Sequence, residues 1–311
     1  MNLVTTAIVP IVLILGLGTL LRRRYLKEPG FWRGLEWMCY RIFTPALFIT
    51  SIAGTDLAAV PIGPLLLSLA APILLVSGLV LSLRRPLRVN GPQLTSLVQG
   101  AVRINTYIGL IFAHALHGSE GVATFALASA VVVPLVNIIC VSVLAAYGEN
   151  ETKGPKDPIW RELMKNPLIQ ACALGLIVNL LAVPLPAFVA STLTMFAGPA
   201  LACGTLTAGA ALHLRFHKRD ILDIGVATTL KLIILPVAAA SLAIPLGATG
   251  ATLTSIVLIC AVPTAPSAYV LASKMGGDTR LMASITGTQT ILAMATLPLT
   301  LKILDVFVGN A

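Results

Sequence analysis

Long runs of Leu, Ile, Val, Ala and Gly alternate along the chain with short polar clusters. A helix needs roughly 20 predominantly apolar residues to cross the hydrocarbon of a bilayer. By that measure the pattern predicts ten spans, at about 5–21, 38–55, 62–83, 95–116, 121–147, 167–184, 187–212, 221–243, 247–272 and 279–304. The second, sixth and seventh are crowded by Pro and Gly. The predicted fold class is an all-α polytopic membrane protein. The run in the ninth span ends unusually, as CAVPTAPSAYVLASKMGG from Cys260 to Gly277, with Pro263 and Pro266 three residues apart. Proline lacks an N–H and clashes with the preceding turn, and freed backbone groups at membrane depth must be satisfied by protein or water. The stretch therefore predicts a helix, a non-helical crossing through Val262–Ser267, and a second half-helix whose first amides face the crossing and suit an anion.

Charge adds orientation. Lys and Arg occupy alternate connections: Arg22, Arg23, Arg24, Lys27, Arg33 and Arg41; Arg84, Arg85 and Arg88; Lys153, Lys156, Arg161 and Lys165; Arg215, Lys218 and Arg219; Lys274 and Arg280. These are 18 of the 21 basic residues. The positive-inside rule makes their side cytoplasmic, which puts both termini on the non-cytoplasmic side of the cell inner membrane. The first run carries its arginines after the apolar stretch, so it reads as a true span and not as a cleaved leader, whose charges come first. The polar loop near the middle divides the chain into a first five-helix half (1–148), a cytoplasmic linker (149–166) and a second five-helix half (167–311). Five is odd, so the second half enters the membrane inverted, as in inverted-topology repeats. Pro-Ala-Leu recurs at Pro45 and Pro199, in the second span of each half.

Composition agrees. Apolar residues make up 57% and charged residues 11%, against about 25% charged in soluble domains, and the mean hydropathy is +0.94. The net charge of +9 follows from topology, and no nucleic-acid-binding motif accompanies it. Cys39, Cys140, Cys172, Cys203 and Cys260 show no ligand spacing and read as small packing residues. No metal or cofactor is expected.

A few polar side chains interrupt the spans. The fourth, QLTSLVQGAVRINTYIGLIFAHALHG, carries Arg103 and Asn105. An intramembrane arginine marks a functional position by default, although snorkelling to the cytoplasmic surface is open to it. Lys231, in the eighth span, would meet a carboxylate, stay neutral, or meet an anionic substrate. Asn137 and Gln289 read equally as helix–helix glue and as pocket residues. No Asp or Glu falls in mid-membrane, so the cations favour an anion and weaken a carboxylate proton relay.

RINTYIGLIFAHALHGSEG (103–121), VVPLVNIICV (132–141) and AVPTAPSAYVLASKMGGD (261–278), the last followed by TGTQTILAMATLPL, resemble the auxin efflux carrier family of secondary transporters. The closer likeness is to bacterial members associated with malonate, malate and similar anions; the wider one is to the bile acid/sodium symporter-like superfamily. The resemblance implies a 5+5 inverted repeat with crossing, interrupted helices four and nine, a scaffold of spans 1, 2, 6 and 7, and a moving domain of spans 3–5 and 8–10. It maps a site asparagine onto Asn105 and the crossing onto Pro263, Thr264, Ala265, Pro266 and Ser267. Many relatives carry a proline shortly after that asparagine. NTYIGLIFA has none, which implies a milder break in span four.

The expected function is alternating-access transport of small mono- or dicarboxylates, malonate-, malate- or auxin-like. The expected contacts are Asn105, Arg103, residues 263–267, Asn137, Lys231 and Gln289. H+ or Na+ as coupling ion and assembly as a homodimer stay open. The alternatives are an anion channel or sensor-like protein, and a membrane-embedded enzyme. The last is disfavoured because His114/His117 and His213/His217 fall on opposite sides of the membrane.

Overall fold

The computed structural model describes residues 3–55, 62–149, 164, 166–182, 185–211 and 220–309. Every regular element in it is helical: α1 (Leu3–Leu20), α2 (Pro29–Met38), α3 (Thr44–Ala53), α4 (Ile62–Ser82), α5 (Gly91–Val102), α6 (Thr106–Tyr147), α7 (Pro167–Leu180), α8 (Ala187–Ala197), α9 (Ala200–Ala210), α10 (Ile221–Thr229), α11 (Leu235–Ala243), α12 (Gly250–Ala261), α13 (Ser267–Met275) and α14 (Thr279–Gly309). Among the described residues, five helical stretches are long and apolar enough to cross a membrane: 62–82, 91–147, 187–210, 221–243 and 279–306. Large apolar side chains such as Leu13, Leu75, Ile177, Phe188, Met195, Val237 and Leu299 lie on the outside. An apolar exterior of this extent suits lipid and not water.

Prolines shape several of the helices. A proline ring inside a helix clashes with the carbonyl four residues earlier. Pro45 and Pro236 are each preceded by a widened π-turn, Cys39–Phe43 and Leu230–Ile234, and the carbonyl at risk, that of Arg41 or Leu232, lies within it. The helical path therefore continues unbroken from α2 into α3 and from α10 into α11. The helical path that carries the second predicted span thus begins at Pro29, ahead of residue 38, because Pro29 starts the helix at its first turn, where the missing N–H costs nothing. The fourth begins at Gly91, four residues earlier than expected, where Asn90 and Gln93 form a reciprocal capping box. The seventh is interrupted at Gly198–Pro199, between α8 and α9. The connection between the fourth and fifth predicted spans tightens to a kink within α6, at His117 and Gly118. Gly118 has φ +55° there, a conformation glycine adopts without strain.

Two groups of helices pack around α6. In one, α1 lies on α9, α3 on α7 and α8, and α2 on α9. In the other, α4, α5, α6, α10–α11, α12–α13 and α14 pack on one another. Most contacts between the groups run through α6, which touches α1, α3, α7 and α9. Glycines allow the closest approach in the first group. A Cβ on Gly18 would overlap the Leu206 carbonyl, and one on Gly209 would overlap the backbone of Leu15. In the second group the helix ends are laced together: Asp278 N–H donates to Pro92 O (3.2 Å), Ser96 Oγ to Asp278 O (2.8 Å) and Glu149 N–H to Gly276 O (2.9 Å). Arg280 adds an ion pair to Asp220 at the foot of α10.

Candidate functional site

The site is built where two helices stop in mid-course. α5 and α12 are each 12 residues long, and each begins on a glycine. Each ends on an extended residue, Arg103 (φ −69°, ψ 154°) and Val262 (φ −66°, ψ 147°). The chain crosses at 103–105 and 262–266 before α6 and α13 begin. The break at 103–105 is two residues shorter than its counterpart but complete, contrary to the milder break expected for want of a proline. Hydrogen bonds do the work of the ring. Asn105 Oδ1 accepts from Ile108 N–H (3.4 Å) as the N-cap of α6, and Asn105 N–H donates to Pro263 O (2.8 Å), joining the two crossings directly.

Polar side chains from the second crossing and from α14 satisfy the carbonyl end of α5. Thr264 Oγ1 donates to Gly100 O (3.0 Å), which also receives Gln289 Nε2 (2.8 Å). The same amide lies 3.3 Å from Ala227 O, and its Oε1 accepts from Thr264 N–H (3.0 Å). Gln289 therefore ties α5, α10 and the second crossing together with one side chain. Asn105 is 1% exposed, and Thr264 and Gln289 are fully buried. Val262 and Pro263 are buried with them. Together they form a closed knot.

The other face of the crossing is open. Arg103, Thr106, Tyr107, Ala265 and Pro266 are half-buried and Ser267 is exposed. Arg103 reaches Asn137 Oδ1 with Nη1 (3.3 Å) and Ser267 Oγ with Nη2 (3.4 Å). It also lies against the Cys140 thiol and near Tyr40. Both amide and hydroxyl contacts are long for a guanidinium, and no carboxylate among the described residues pairs with it. The first-turn amides of α6 and α13, Thr106, Tyr107 and Ser267, have no intrahelical acceptor and border this face. A planar cation with unused donors beside two helix N-termini can take a carboxylate bidentately.

The structure thus gathers Arg103, Asn137, Ala265, Pro266 and Ser267 on the open face. It places Asn105, Pro263, Thr264 and Gln289 in the knot behind it. Lys231 stands apart: it is fully buried in the π-turn of α10–α11, with Nζ donating to Ile259 O (3.2 Å), and has no carboxylate partner among the described residues. His114 is exposed, whereas His117 Nε2 lies 3.0 Å from Thr254 Oγ1; His213 and His217 are outside the described residues.

Two residues were missed by sequence reasoning, Tyr107 and Gln99. Tyr107 packs its ring over Gly204 of α9, which leaves no room there for a Cβ; Gly204 itself opens GTLTAGAA (204–211), a small-residue run that reads as a close-packing face. Gln99, one residue before Gly100, is buried with neither amide atom paired among the described residues. A glutamine in SLVQGAV was the visible signal for it; a lone tyrosine carries none.

Comparison with known proteins accords with this architecture. An archaeal protein of Methanothermobacter thermautotrophicus, described as an uncharacterized transporter, is 26% identical over 258 residues, covering 82% of this chain and 83% of the relative. Residues 3–301 match the family described as membrane transport protein. Over nearly its whole length, then, the chain belongs to this auxin efflux carrier family of multi-pass membrane transport proteins, and it is a transporter of small molecules and not an enzyme.

Proposed function

We propose that the protein moves small organic anions, mono- or dicarboxylates, across the cell inner membrane by alternating access, with Arg103 as the carboxylate anchor. The observation that carries this reading is the state of Arg103: half-buried at the crossing, bordered by two half-helix N-termini, and held by two long hydrogen bonds and the Cys140 thiol, with no carboxylate partner among the described residues. Asn137 and Ser267 orient the guanidinium. Asn105, Pro263, Thr264 and Gln289 keep the crossing rigid, so that the amides around Thr106 and Ser267 stay aimed at one point. Preorganised donors of this kind lower the ordering cost of binding.

The proposed topology is ten spans in two inverted halves, 1–148 and 167–311, joined by a cytoplasmic linker, with both termini outside the cytoplasm. Two features support it. The 12-residue helix, crossing and half-helix of α5–α6 recur in α12–α13. Pro45 and Pro199 each mark an irregularity in the matching helix, a π-turn before Pro45 and a break at Gly198–Pro199. In this reading the first helix group is the scaffold and the second the moving domain. The open face of Arg103 lies toward Tyr40, beside the basic residue Arg41 that the topology puts at the cytoplasmic side.

The test is uptake and counterflow in proteoliposomes with a panel of mono- and dicarboxylates, varying pH, sodium and voltage independently. Saturable exchange of at least one carboxylate is expected. A panel in which none moves, and none raises the thermal stability of the purified protein, would overturn the reading.

A further inference from the structure

The two carbonyl ends at the crossing are built alike but capped differently. Arg103 N–H bonds to Gln99 O, as Val262 N–H bonds to Leu258 O. The next carbonyl in each helix, Gly100 O and Ile259 O, is therefore the equivalent orphan. Gly100 O receives neutral donors, Thr264 Oγ1 and Gln289 Nε2. Ile259 O receives the Lys231 ammonium. A helix C-terminus carries about half a negative charge, and in a dry interior its carbonyls attract a cation strongly. Lys231 is fully buried, and the described residues offer it no carboxylate: Asp223, the acidic residue on its own helix, lies eight positions back, about 12 Å of rise. The π-turn that accommodates Pro236 also carries Lys231 and sets its path to the end of α12.

We propose that Lys231 is a tethered monovalent cation: its ammonium fills, at the carbonyl end of α12, the position that a coupling metal ion would otherwise hold. The charge is covalently attached and moves with the helix group. The carbonyl end of the crossing is therefore neutralised in every state, and anion binding at Arg103 requires no sodium. Removing the ammonium leaves the Ile259 carbonyl uncapped at the negative end of α12, beside a space of ammonium size that a small cation such as sodium, lithium or ammonium can enter. The inference rests on the anion-carrier reading only for its consequence in transport; the site itself is testable without any substrate.

The experiment measures thermal unfolding of purified wild type, Lys231→Ala and Lys231→Met in choline chloride, with sodium, lithium or ammonium chloride replacing it at constant ionic strength. Wild type is expected to be indifferent to the swap. Lys231→Ala is expected to be less stable in choline and to recover by about 5 °C in at least one small cation. Lys231→Met, whose side chain fills the space without charge, is expected to be destabilised and to recover nothing. Lys231→Ser, which also vacates the space, substitutes for the alanine variant if the latter does not fold, with the same direction expected. A sodium-dependent rise in wild type, or an alanine or serine variant that unfolds identically in all four salts, overturns the proposal. Uptake of a transported carboxylate by wild type with sodium replaced by choline supplies the second arm, and full activity is expected. Should no carboxylate be transported at all, the transport reading falls, while the unfolding series still decides the role of Lys231.

Discussion

Arg103, in the first crossing, and Gln289, on α14 behind it, do opposite work. Arg103 spends two of its five N–H groups on long contacts with neutral oxygens, so its removal costs the fold little and the ligand much. A charge-assisted hydrogen bond contributes about 1.5–3 kcal/mol. Arg103→Gln is therefore expected to weaken carboxylate binding by roughly 10- to 100-fold, with less than about 1 kcal/mol change in stability. Arg103→Lys should fall between, since an ammonium cannot pair bidentately. Titration of the purified variants with a transported carboxylate, beside their thermal unfolding, measures both. Gln289 instead uses both ends of a fully buried amide on Gly100 O, Ala227 O and Thr264 N–H. Thr264 Oγ1 still serves Gly100 O after Gln289→Leu and Leu230 N–H still serves Ala227 O, but Thr264 N–H loses its partner. An unsatisfied buried group costs about 1–3 kcal/mol, so Gln289→Leu should lower stability by roughly that amount. Chemical denaturation in detergent reads that loss; a variant as stable as wild type would show that the knot is not held as described.

At the scale of elements, what the sequence disclosed depends on how each break is made. VPTAPS announces its crossing because prolines are incompatible with helix whatever surrounds them. RIN does not, because its crossing is held by partners remote in the chain: Pro263 O, which receives Asn105 N–H, and the pairing of Gly100 O with Thr264 and Gln289. The same distinction explains the span limits. Pro29 and Asn90 are local start signals, but the apolar count missed them because Arg33 and Glu36 interrupt the helix that Pro29 opens and Gln93 and Thr95 lie in the first turns after Asn90. Arg103 and the small-residue crossing were legible as chemistry. That Asn105 would cap a helix, and that Lys231 would seek a helix end, were not, since both follow from packing. If the hydrogen-bonded knot and not the ring geometry fixes the second crossing, replacing both prolines by alanine should leave the break in place. Pro263→Ala/Pro266→Ala is expected to fold, to lose less stability than Gln289→Leu, and to keep carboxylate affinity within about tenfold. Restoration of a continuous helix, visible as added helical circular dichroism with loss of binding, would refute that account.

For the molecule as a whole, the question is how the two helix groups meet. The backbone-to-backbone approach of Gly18 to Leu206 and of Gly209 to Leu15 ties α1 to α9 within the first group, and Thr19 Oγ1 adds a bond to Gly209 O (2.8 Å). These contacts interlock backbone and should hold through the transport cycle. Tyr107 is of another kind. It belongs to α6, whose start carries the crossing, yet its ring lies in a notch that Gly204 leaves in α9. A ring in a notch can leave it without breaking main-chain hydrogen bonds, so the contact suits an interface that opens and closes. Alternating access requires two packings of comparable free energy; filling the notch penalises only the packing seen here. Gly204→Val is therefore expected to shift the population away from this docked arrangement. Overpacking of about 1–3 kcal/mol corresponds to a shift of roughly 5- to 150-fold. The variant should transport more slowly while unfolding at close to the wild-type temperature, and Tyr107→Ala should restore part of the lost rate by emptying the notch from the other side. Gly209→Val, which strikes the α1–α9 backbone contact, should destabilise the protein outright, with no rescue by Tyr107→Ala. Equal behaviour of the two glycine variants would mean that α6 and α9 do not separate during transport, and that the moving surface lies elsewhere.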